Sequence, residues 1–413
     1  MSERRRVVIT GIGPVTPVGI GVDDFWAGLT SGRNGVREIT AFDTTDLSVK
    51  LAGEVEGFDP ADFLDAKEAR RTDPFTHYAI SAASLAWSDA GTPEIVSERG
   101  GVIFATGIGG IQTLLQQHLV LLEKGPNRVS PFMVPMLMAN AAAGHLAMRF
   151  GLTGHNMATL SACASSNHAL GEGMRLIRDG YLDLCVVGGS EAATHPLTVA
   201  AFAQMTALTK NPDPDSASRP FDADRDGFVL SEGGASLILE SEEHARARGA
   251  RIYCEVAGYG ASDDAHHITA PDPKGSGATL AMRWALRDAG AEPADVSYIN
   301  AHGTSTQLND ASETVAIKAA LGDEHAHRVA ISSTKSMTGH MLGAAGAVEG
   351  AACALAIANG RIPPTIHYAT ADPDCDLDVT PNEARDLDVT LALSNSFGFG
   401  GQNACVAFRA LDR

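Results

Sequence analysis

The sequence predicts an α/β protein assembled from two similar halves. Short apolar strands alternate with Gly-rich turns and helical stretches along the chain, the pattern of mostly parallel sheets covered by helices. Each half repeats strand, Gly-rich turn and helix, and each sets reactive side chains just past a strand end. At 413 residues and about 150 residues per domain, two to three domains are expected. Strands are predicted at Val7–Thr10, Val102–Ala105, Met157–Ser161, Leu184–Val187, Ser236–Leu239, Ile252–Gly258, Val296–Ile299, Val329–Ile331, Thr390–Leu393 and Cys405–Phe408. Helices are predicted at Asn167–Arg178, Ala278–Asp288, Ala311–Ala320 and Ala344–Ala358, and Lys210–Asp226 reads as an ordered surface loop. A break near residue 250 divides the chain into 1–250, with Cys163, and 251–413, with His302 and His340. The seam between such halves is where pockets form.

Hydrophobic residues make up 44% and charged residues 20%, a globular composition. Lys+Arg 31 against Asp+Glu 50 gives −19, which disfavours a nucleic-acid or anionic-membrane binder. An acidic partner would have to meet a local basic patch. The closest of the six cysteines stand 22 residues apart, and no zinc or disulfide spacing appears. The basic N-terminus runs into a short strand broken by Gly and Pro, unlike a signal peptide. The most apolar stretch, Gly343–Ala358, contains Glu349 and is too short to span a bilayer. A reducing, cytoplasmic setting is expected.

Four segments carry chemistry. In Met157-Ala-Thr-Leu-Ser-Ala-Cys163-Ala-Ser-Ser-Asn, a strand delivers a thiol to a helix N-terminus. Unpaired N–H groups there would lower its pKa and hold an oxyanion. Cys185, Cys254 and Cys353 fall inside predicted elements and read as inert core. In Tyr298-Ile-Asn-Ala-His302-Gly-Thr-Ser-Thr306, a strand ends in an imidazole. Ser332-Ser-Thr-Lys335-Ser-Met-Thr-Gly-His340 sets an ammonium and a second imidazole at a strand-to-helix junction. Ser394-Asn-Ser-Phe397-Gly-Phe399-Gly-Gly401 runs a strand into a Gly-rich turn. Each has a structural alternative when taken alone: a buried thiol, a hydrogen-bonded His, a solvated Lys. Together, one Cys and two His without a partner carboxylate point to acyl transfer with a carbanion to stabilise. Two neutral imidazoles can donate to a thioester enolate, and a nearby Lys keeps both unprotonated.

These motifs resemble those of the β-ketoacyl-acyl carrier protein synthases, and most of all the type II fatty-acid elongating enzymes. The likeness runs from Val7-Val-Ile-Thr-Gly-Ile-Gly to Gly400-Gly-Gln-Asn. It includes Thr106-Gly-Ile-Gly-Gly110, Ala217-Ser-Arg-Pro-Phe-Asp222, Arg225-Asp-Gly-Phe-Val229 and Pro363-Pro-Thr365. The resemblance implies a thiolase-like five-layered α-β-α-β-α fold of two pseudo-twofold-related halves, and a homodimer. It implies that Cys163 takes an acyl chain from acyl carrier protein and that malonyl-acyl carrier protein then loses CO2 and attacks the thioester. By motif position His302 and His340 support decarboxylation, Lys335 organises the site, and the N–H groups of Cys163 and Phe399 form an oxyanion hole, with Phe399 also a gate. Thr304 and Thr306 match pantetheine contacts; Ile108, Phe202, Met133 and Phe397 match substrate-binding positions. Asp310 and Glu313 match acidic positions near the Lys.

No cofactor is implied beyond a structural Na+ or K+ at Asn300, Glu349, Ser394 and Asn395. Lys67, Arg70, Arg71, Lys124, Arg128 and Lys210 are proposed to dock the carrier protein. Three departures bear on substrate. Gln-Leu-Asn-Asp follows Thr306, with an Asn-Asp pair similar to that of aromatic-polyketide ketosynthases. Ala-Ser-Ser-Asn follows Cys163, and Met133, Met136 and Met138 line a segment near the dimer seam that often carries more Phe and Ile. The alternatives are therefore a polyketide or polyene ketosynthase paired with a paralogue, or a non-catalytic partner subunit, which the presence of Cys163, both His and Lys335 disfavours. A degradative thiolase would need a second catalytic Cys near the C-terminal turn, where Phe399 stands. An initiating synthase would use His and Asn.

Overall fold

Strands of small and branched residues line up into one continuous mixed sheet. In the computed structural model, which describes residues 4–411, they are β1 (Val7–Thr16), β2 (Gly100–Ala105), β3 (Asn156–Met157), β4 (Leu184–Glu191), β5 (Gly233–Ser241), β6 (Cys254–Asp263), β7 (Tyr298–Asn300), β8 (Ala330–Ser332), β9 (Leu391–Gly398) and β10 (Gln402–Arg409). Met1–Glu3, part of the basic N-terminal stretch, lie outside the described residues. The spatial order is β8-β7-β9-β10-β6-β1-β5-β4-β2-β3. Read outward from the β6/β1 junction, both sides carry the same sequence of strands. Polarity repeats as well. β3/β2 and β2/β4 are parallel while β4/β5 and β5/β1 are antiparallel; β8/β7, β7/β9, β9/β10 and β10/β6 follow the same pattern. The halves join where Val8 faces Glu255 and Ile9 faces Cys254.

The expectation of mostly parallel sheets is corrected: the parallel pairs occupy the outer ends and the centre is antiparallel. The reason is local for β9 and β10, whose connection is a three-residue turn that admits only a hairpin. The predicted strand at Met157–Ser161 shrinks to Asn156–Met157, because the chain beyond it leaves the sheet to form the turn that carries Cys163.

Side-chain alternation along the strands sorts the helices into layers. The principal helices are α1 (Pro74–Asp89), α2 (Ala141–Phe150), α3 (Ser165–Arg178), α4 (Ser276–Ala289), α5 (Gln307–Leu321) and α6 (Ala345–Asn359). Ile103, Cys185 and Leu237 from one half and Tyr298, Ala392 and Val406 from the other face inward, onto Leu170 and Met174 of α3 and Val348 and Leu355 of α6. The opposite faces cover α1 and α2 through Val102, Val186 and Ala79, and α4 and α5 through Ile299, Leu393 and Ile317. The result is a five-layered α-β-α-β-α sandwich with α3 and α6 at its centre. The apolar stretch Leu342–Asn359 is long and apolar enough to cross a bilayer, yet is 89% buried in this central layer.

The halves repeat down to single atoms. On β1, a Cβ at Gly13 would lie 2.0 Å from the Ala82 carbonyl oxygen, and one at Gly11 2.2 Å from that of Ala86. On β6, a Cβ at Gly260 would lie 2.0 Å from the Ala281 carbonyl oxygen, and one at Gly258 2.3 Å from that of Ala285. One outer helix of each half, α1 and α4, therefore rests on a Gly-x-Gly step of the strand beneath it. Gly13→Ala and Gly260→Ala should each destabilise the protein by about 1–3 kcal/mol, the usual cost of overpacking. Thermal unfolding checks this, and unchanged melting temperatures would reject the close-approach explanation.

Candidate active site

Cys163 stands on a strained turn between β3 and α3. Ala162 is held at φ 48, a left-handed conformation unusual for a residue with a side chain. The turn is locked by Ser165, whose hydroxyl donates to the Ala162 carbonyl at 2.6 Å and accepts from the Ser161 N–H at 2.8 Å. The Ser after Cys163-Ala thus closes the loop that presents the thiol. A Cβ at Gly398 would sit 2.7 Å from the Ser161 carbonyl and 3.2 Å from the Cys163 nitrogen, so the end of β9 needs glycine to approach the nucleophile.

The imidazoles converge on this thiol. His340 Nε2 lies 3.1 Å from Cys163 Sγ, and the His302 ring is 5.4 Å from that of His340 at 82°. Lys335 is buried behind them. Its ammonium donates to the His302 carbonyl at 2.6 Å, lies 3.4 Å from His302 Nδ1, and pairs with Glu349. Nδ1 of His302 faces this ammonium, which leaves Nε2 for the cavity. Desolvation, then Lys335 and His340, hold His302 well below the usual imidazole range; desolvation and Lys335 do the same to His340. Burial pushes the Cys163 thiol up to about 12 despite Lys335 and the Phe399 N–H. The expected lowering of the thiol pKa is corrected: desolvation outweighs the donors around it.

Cys163, His302, His340 and Phe399 line one cavity of about 730 Å³. Ile108, Phe202, Thr304, Thr306 and Phe397 line it too. Met133 does not. It sits half-buried on the short helix Met133–Leu137, away from the cavity wall of this chain. The six residues proposed for docking, Lys67, Arg70, Arg71, Lys124, Arg128 and Lys210, are all exposed. Arg71 stacks over the Phe132 ring at 4.5 Å, bringing the Lys67–Arg71 segment beside the one that holds Arg128.

The acidic residues take separate roles. Lys335 pairs with Glu349, whereas Glu313 accepts the N–H groups of His302 and Gly303, both at 2.8 Å, and Asn395 at 3.2 Å. Asp310 accepts from the Phe221 N–H at 2.8 Å and faces Arg225 at 3.5 Å. Two residues given no role by the sequence prove central to the site's framework. Glu191, at the end of β4, accepts from Gly107 N–H at 2.7 Å, Ile108 N–H at 3.3 Å, Gly343 N–H at 3.2 Å and the Thr106 hydroxyl at 3.1 Å. It ties two walls of the cavity together. Arg225 donates to the carbonyls of Thr306 and Gln307 at 3.2 and 3.1 Å. It thereby holds the Thr304–Thr306 segment, whose Ser305 has φ 68. The only sequence signal for Glu191 was an acidic residue closing an apolar strand.

The residues proposed for a monovalent cation fit in part. Asn300 and Ser394 are register neighbours on the inner face of the sheet. Asn300 Oδ1, Ser394 Oγ and Glu349 Oε2 are buried without hydrogen-bond partners, oxygens a cation would satisfy. Asn300 Nδ2, buried beside them, is a donor that a cation would not satisfy. Asn395 is corrected: one residue on, its side chain turns to the other face and joins Glu313 and Met282.

Residues 4–245 match the family model described as beta-ketoacyl synthase, N-terminal domain, and residues 253–369 match that of the C-terminal domain. A protein of Synechocystis sp. named 3-oxoacyl-[acyl-carrier-protein] synthase 2 is 52% identical over 410 residues, 98% of each chain. Among solved structures, the ishigamide ketosynthase/chain length factor is similar with a TM-score of 0.93 and 39% identity, over 99% of this chain and 100% of that one. An apo complex of a type II polyketide synthase acyl-carrier protein with its ketosynthase, bound to the hexaketide, gives 0.91 and 36% over the same shares.

Removing one member of a buried ion pair strands the other, at a cost of about 3–5 kcal/mol. Lys335→Met should destabilise the protein by that amount in chemical unfolding, and Lys335→Met with Glu349→Leu should recover most of it. Equal loss in both variants would mean that the pair itself, not the uncompensated charge, is what matters. Burial raises Glu191 to about 7 from 4.5, so the unfolded chain ionises first as pH rises. Its contribution to stability is complete below pH 4.5 and declines up to about 7. Glu191→Gln should lower stability throughout, because an amide cannot accept from every N–H. It should also flatten the decline between pH 4.5 and 7, measured as melting temperature against pH.

Proposed function

The chain belongs to the β-ketoacyl synthase family, and from that premise we propose how its residues carry out the condensation. The reaction is that of a 3-oxoacyl-[acyl-carrier-protein] synthase in fatty-acid elongation: an acyl thioester and malonyl-acyl carrier protein give 3-oxoacyl-acyl carrier protein and CO2. The observation that carries the assignment of roles is the 3.1 Å approach of His340 Nε2 to Cys163 Sγ, with His302 beside it on the same cavity.

In the first half-reaction the Cys163 sulfur attacks the acyl carbonyl. The C–S bond to the carrier's pantetheine breaks, and the thiol proton passes by way of His340 to the departing sulfur. The N–H of Cys163 and that of Phe399, which points at the sulfur, receive the tetrahedral oxyanion. In the second, the malonyl C–C bond breaks with release of CO2, and the electron pair becomes an enolate. The neutral imidazoles of His302 and His340 donate N–H groups to its oxygen, and the enolate carbon attacks the thioester on Cys163. The acyl C–S bond breaks, the sulfur leaves as a thiolate, and a proton from solvent restores the thiol. Lys335 acts from behind, keeping both rings unprotonated. Thr304 and Thr306, whose hydroxyls lie 2.9 Å apart, orient the pantetheine arm. Ile108, Phe202 and Phe397 shape the acyl channel, and Phe399 gates it from the hairpin turn. A Na+ or K+ would be held by Asn300, Glu349 and Ser394 as a counter-charge, outside the chemistry.

Acyl carrier protein is the partner, received by the exposed cations Lys67, Arg70, Arg71, Lys124, Arg128 and Lys210, none of which is in an ion pair among the described residues. A homodimer is supported by the exposed Leu119, Leu122, Val134, Met138, Met148 and Leu160, an apolar concentration that a partner would cover and that would bring Met133 to the seam. The halves 1–250 and 251–413 are assigned as the two structural domains, and the chain as a cytoplasmic enzyme. A polyketide or polyene ketosynthase working with a paralogue is the second reading. Gln307-Leu-Asn-Asp310 and the likeness to the solved polyketide enzymes favour it.

The test is mass spectrometry of products from the purified protein, given malonyl carrier protein and a panel of acyl carrier proteins. Extension of ordinary saturated and monounsaturated chains supports elongation; acyl loading on Cys163 without extension supports the paralogue-dependent reading. Cys163→Ala should abolish condensation but retain malonyl decarboxylation. His302→Ala should lose decarboxylation more than loading. Since both imidazoles titrate well below 6.5, decarboxylation should hold level through neutral pH and fall only on acidification beyond that.

A further inference from the structure

One group of His, Cys and carboxylate side chains among the described residues has the spacing of a metal site, and it is formed by the nucleophile and its two imidazoles. Cys163, His302 and His340 each present one donor atom, all within 4.8 Å of one another. We propose that this triad is an inhibitory site for a borderline or soft divalent cation of the zinc and cadmium class. The ion would be held by Cys163 Sγ and one ring nitrogen of each histidine, with its fourth position open to the cavity.

The donor set suits such an ion: one thiolate and two imidazoles are ligands of zinc chemistry, and three protein ligands with an open position is the form of its reactive sites. Bonds of about 2.3 Å to sulfur and 2.0–2.1 Å to nitrogen place tetrahedral ligand atoms roughly 3.4–3.6 Å apart. The present 3.1 Å from Sγ to His340 Nε2 and the 4.8 Å limit on the set bracket that spacing, so shifts of about an ångström complete it. Lys335 repels a second cation here as it does a proton on either ring; its pairing with Glu349 offsets part of that repulsion, and the thiolate formed on binding offsets more. His302 Nδ1 lies on the lysine side, so ligation through Nε2 shifts the ring proton to Nδ1 and turns that nitrogen away from the ammonium. Binding exchanges the thiol proton for the metal, one proton passing to solvent per ion, with no change of oxidation state. The sulfur is then unavailable for thioester formation and the imidazoles for the enolate. Acylated Cys163 has no thiolate to offer, so acyl loading and metal binding exclude each other. The proposal rests on donor geometry alone, independent of which substrate the enzyme elongates.

The full-length protein would be titrated with Co2+ and Zn2+. Co2+ should give a near-ultraviolet thiolate charge-transfer band that is absent from Cys163→Ala and from enzyme preloaded with an acyl group. One equivalent of Zn2+ should slow iodoacetamide alkylation of Cys163 by at least about tenfold, the low end of what even an outer-shell partner contributes to metal affinity. EDTA should restore alkylation, and Mg2+ should leave it unchanged. His302→Ala should weaken this protection. Identical cobalt spectra for the wild type and Cys163→Ala, or undiminished alkylation at one equivalent, would overturn the site and place the ion on the acidic surface. Neither readout requires turnover, so this failure is separable from a failure of the condensing assignment.

Discussion

A charged ammonium buried at 2% exposure constrains everything near it. Water cannot solvate Lys335, so its charge must be met by protein. Glu349 meets it from α6, a helix otherwise made of small and apolar residues, and the His302 carbonyl takes a further N–H. Each imidazole then faces a fixed positive charge in a dry surrounding and stays neutral. The same pressure keeps Cys163 protonated at rest, which makes His340, 3.1 Å away, the nearest acceptor when the thiol reacts. Burial comes first for all three reacting groups; Lys335 reinforces it at the two imidazoles and opposes it at Cys163.

The seam position of the site follows from duplication. The two halves share a strand order, and the central helix of each, α3 and α6, is preceded by a turn that carries reactive groups. Cys163 precedes α3; Lys335 and His340 precede α6. Because the helices lie side by side between the sheets, those turns meet. Asn167 of α3 donates to the Ser394 carbonyl at 3.0 Å, Ser166 donates to the Gly343 carbonyl, and a Cβ at Gly346 would lie 2.8 Å from Asn167 Oδ1. The small residues after His340 are thus required where α6 presses on α3.

Side chains that do chemistry were legible because each follows a strand end, where alternation stops and polar or Gly residues gather. Strands such as β4 and β5, with their continuous burial, were legible by composition. Strand direction was not, since polarity depends on which strands become neighbours, and α3 and α6 decide that from far along the chain. Helix α1 lay outside the predicted set because most of its residues are buried, which blurs the 3.6-residue period. Glu349 was visible as an anomaly in an apolar helix, but its partner, 14 residues away across a turn, was not. Glu191 and Arg225 hold backbone atoms of distant segments, and backbone acceptors and donors leave no mark in a sequence. Met133 was placed by analogy with positions at a dimer seam, a contact that a single chain does not make.

The same separation explains how one constellation serves different products. The reacting groups are held from both faces of the sheet: Lys335 by Glu349 of the central α6, and the N–H groups of His302 and Gly303 by Glu313 of the outer α5. The cavity wall is drawn from elsewhere, from Ile108 on the loop that Glu191 anchors, from Phe202 after β4, and from Phe397 on the hairpin. A change in Ile108 or Phe202 alters the shape offered to an acyl chain without touching the buried Lys335–Glu349 pair. Chain length and structure can therefore diverge among relatives while the condensation stays the same. That matches a chain 52% identical to a protein named 3-oxoacyl-[acyl-carrier-protein] synthase 2 and superposable at a TM-score of 0.91 on the ketosynthase of a type II polyketide synthase complex.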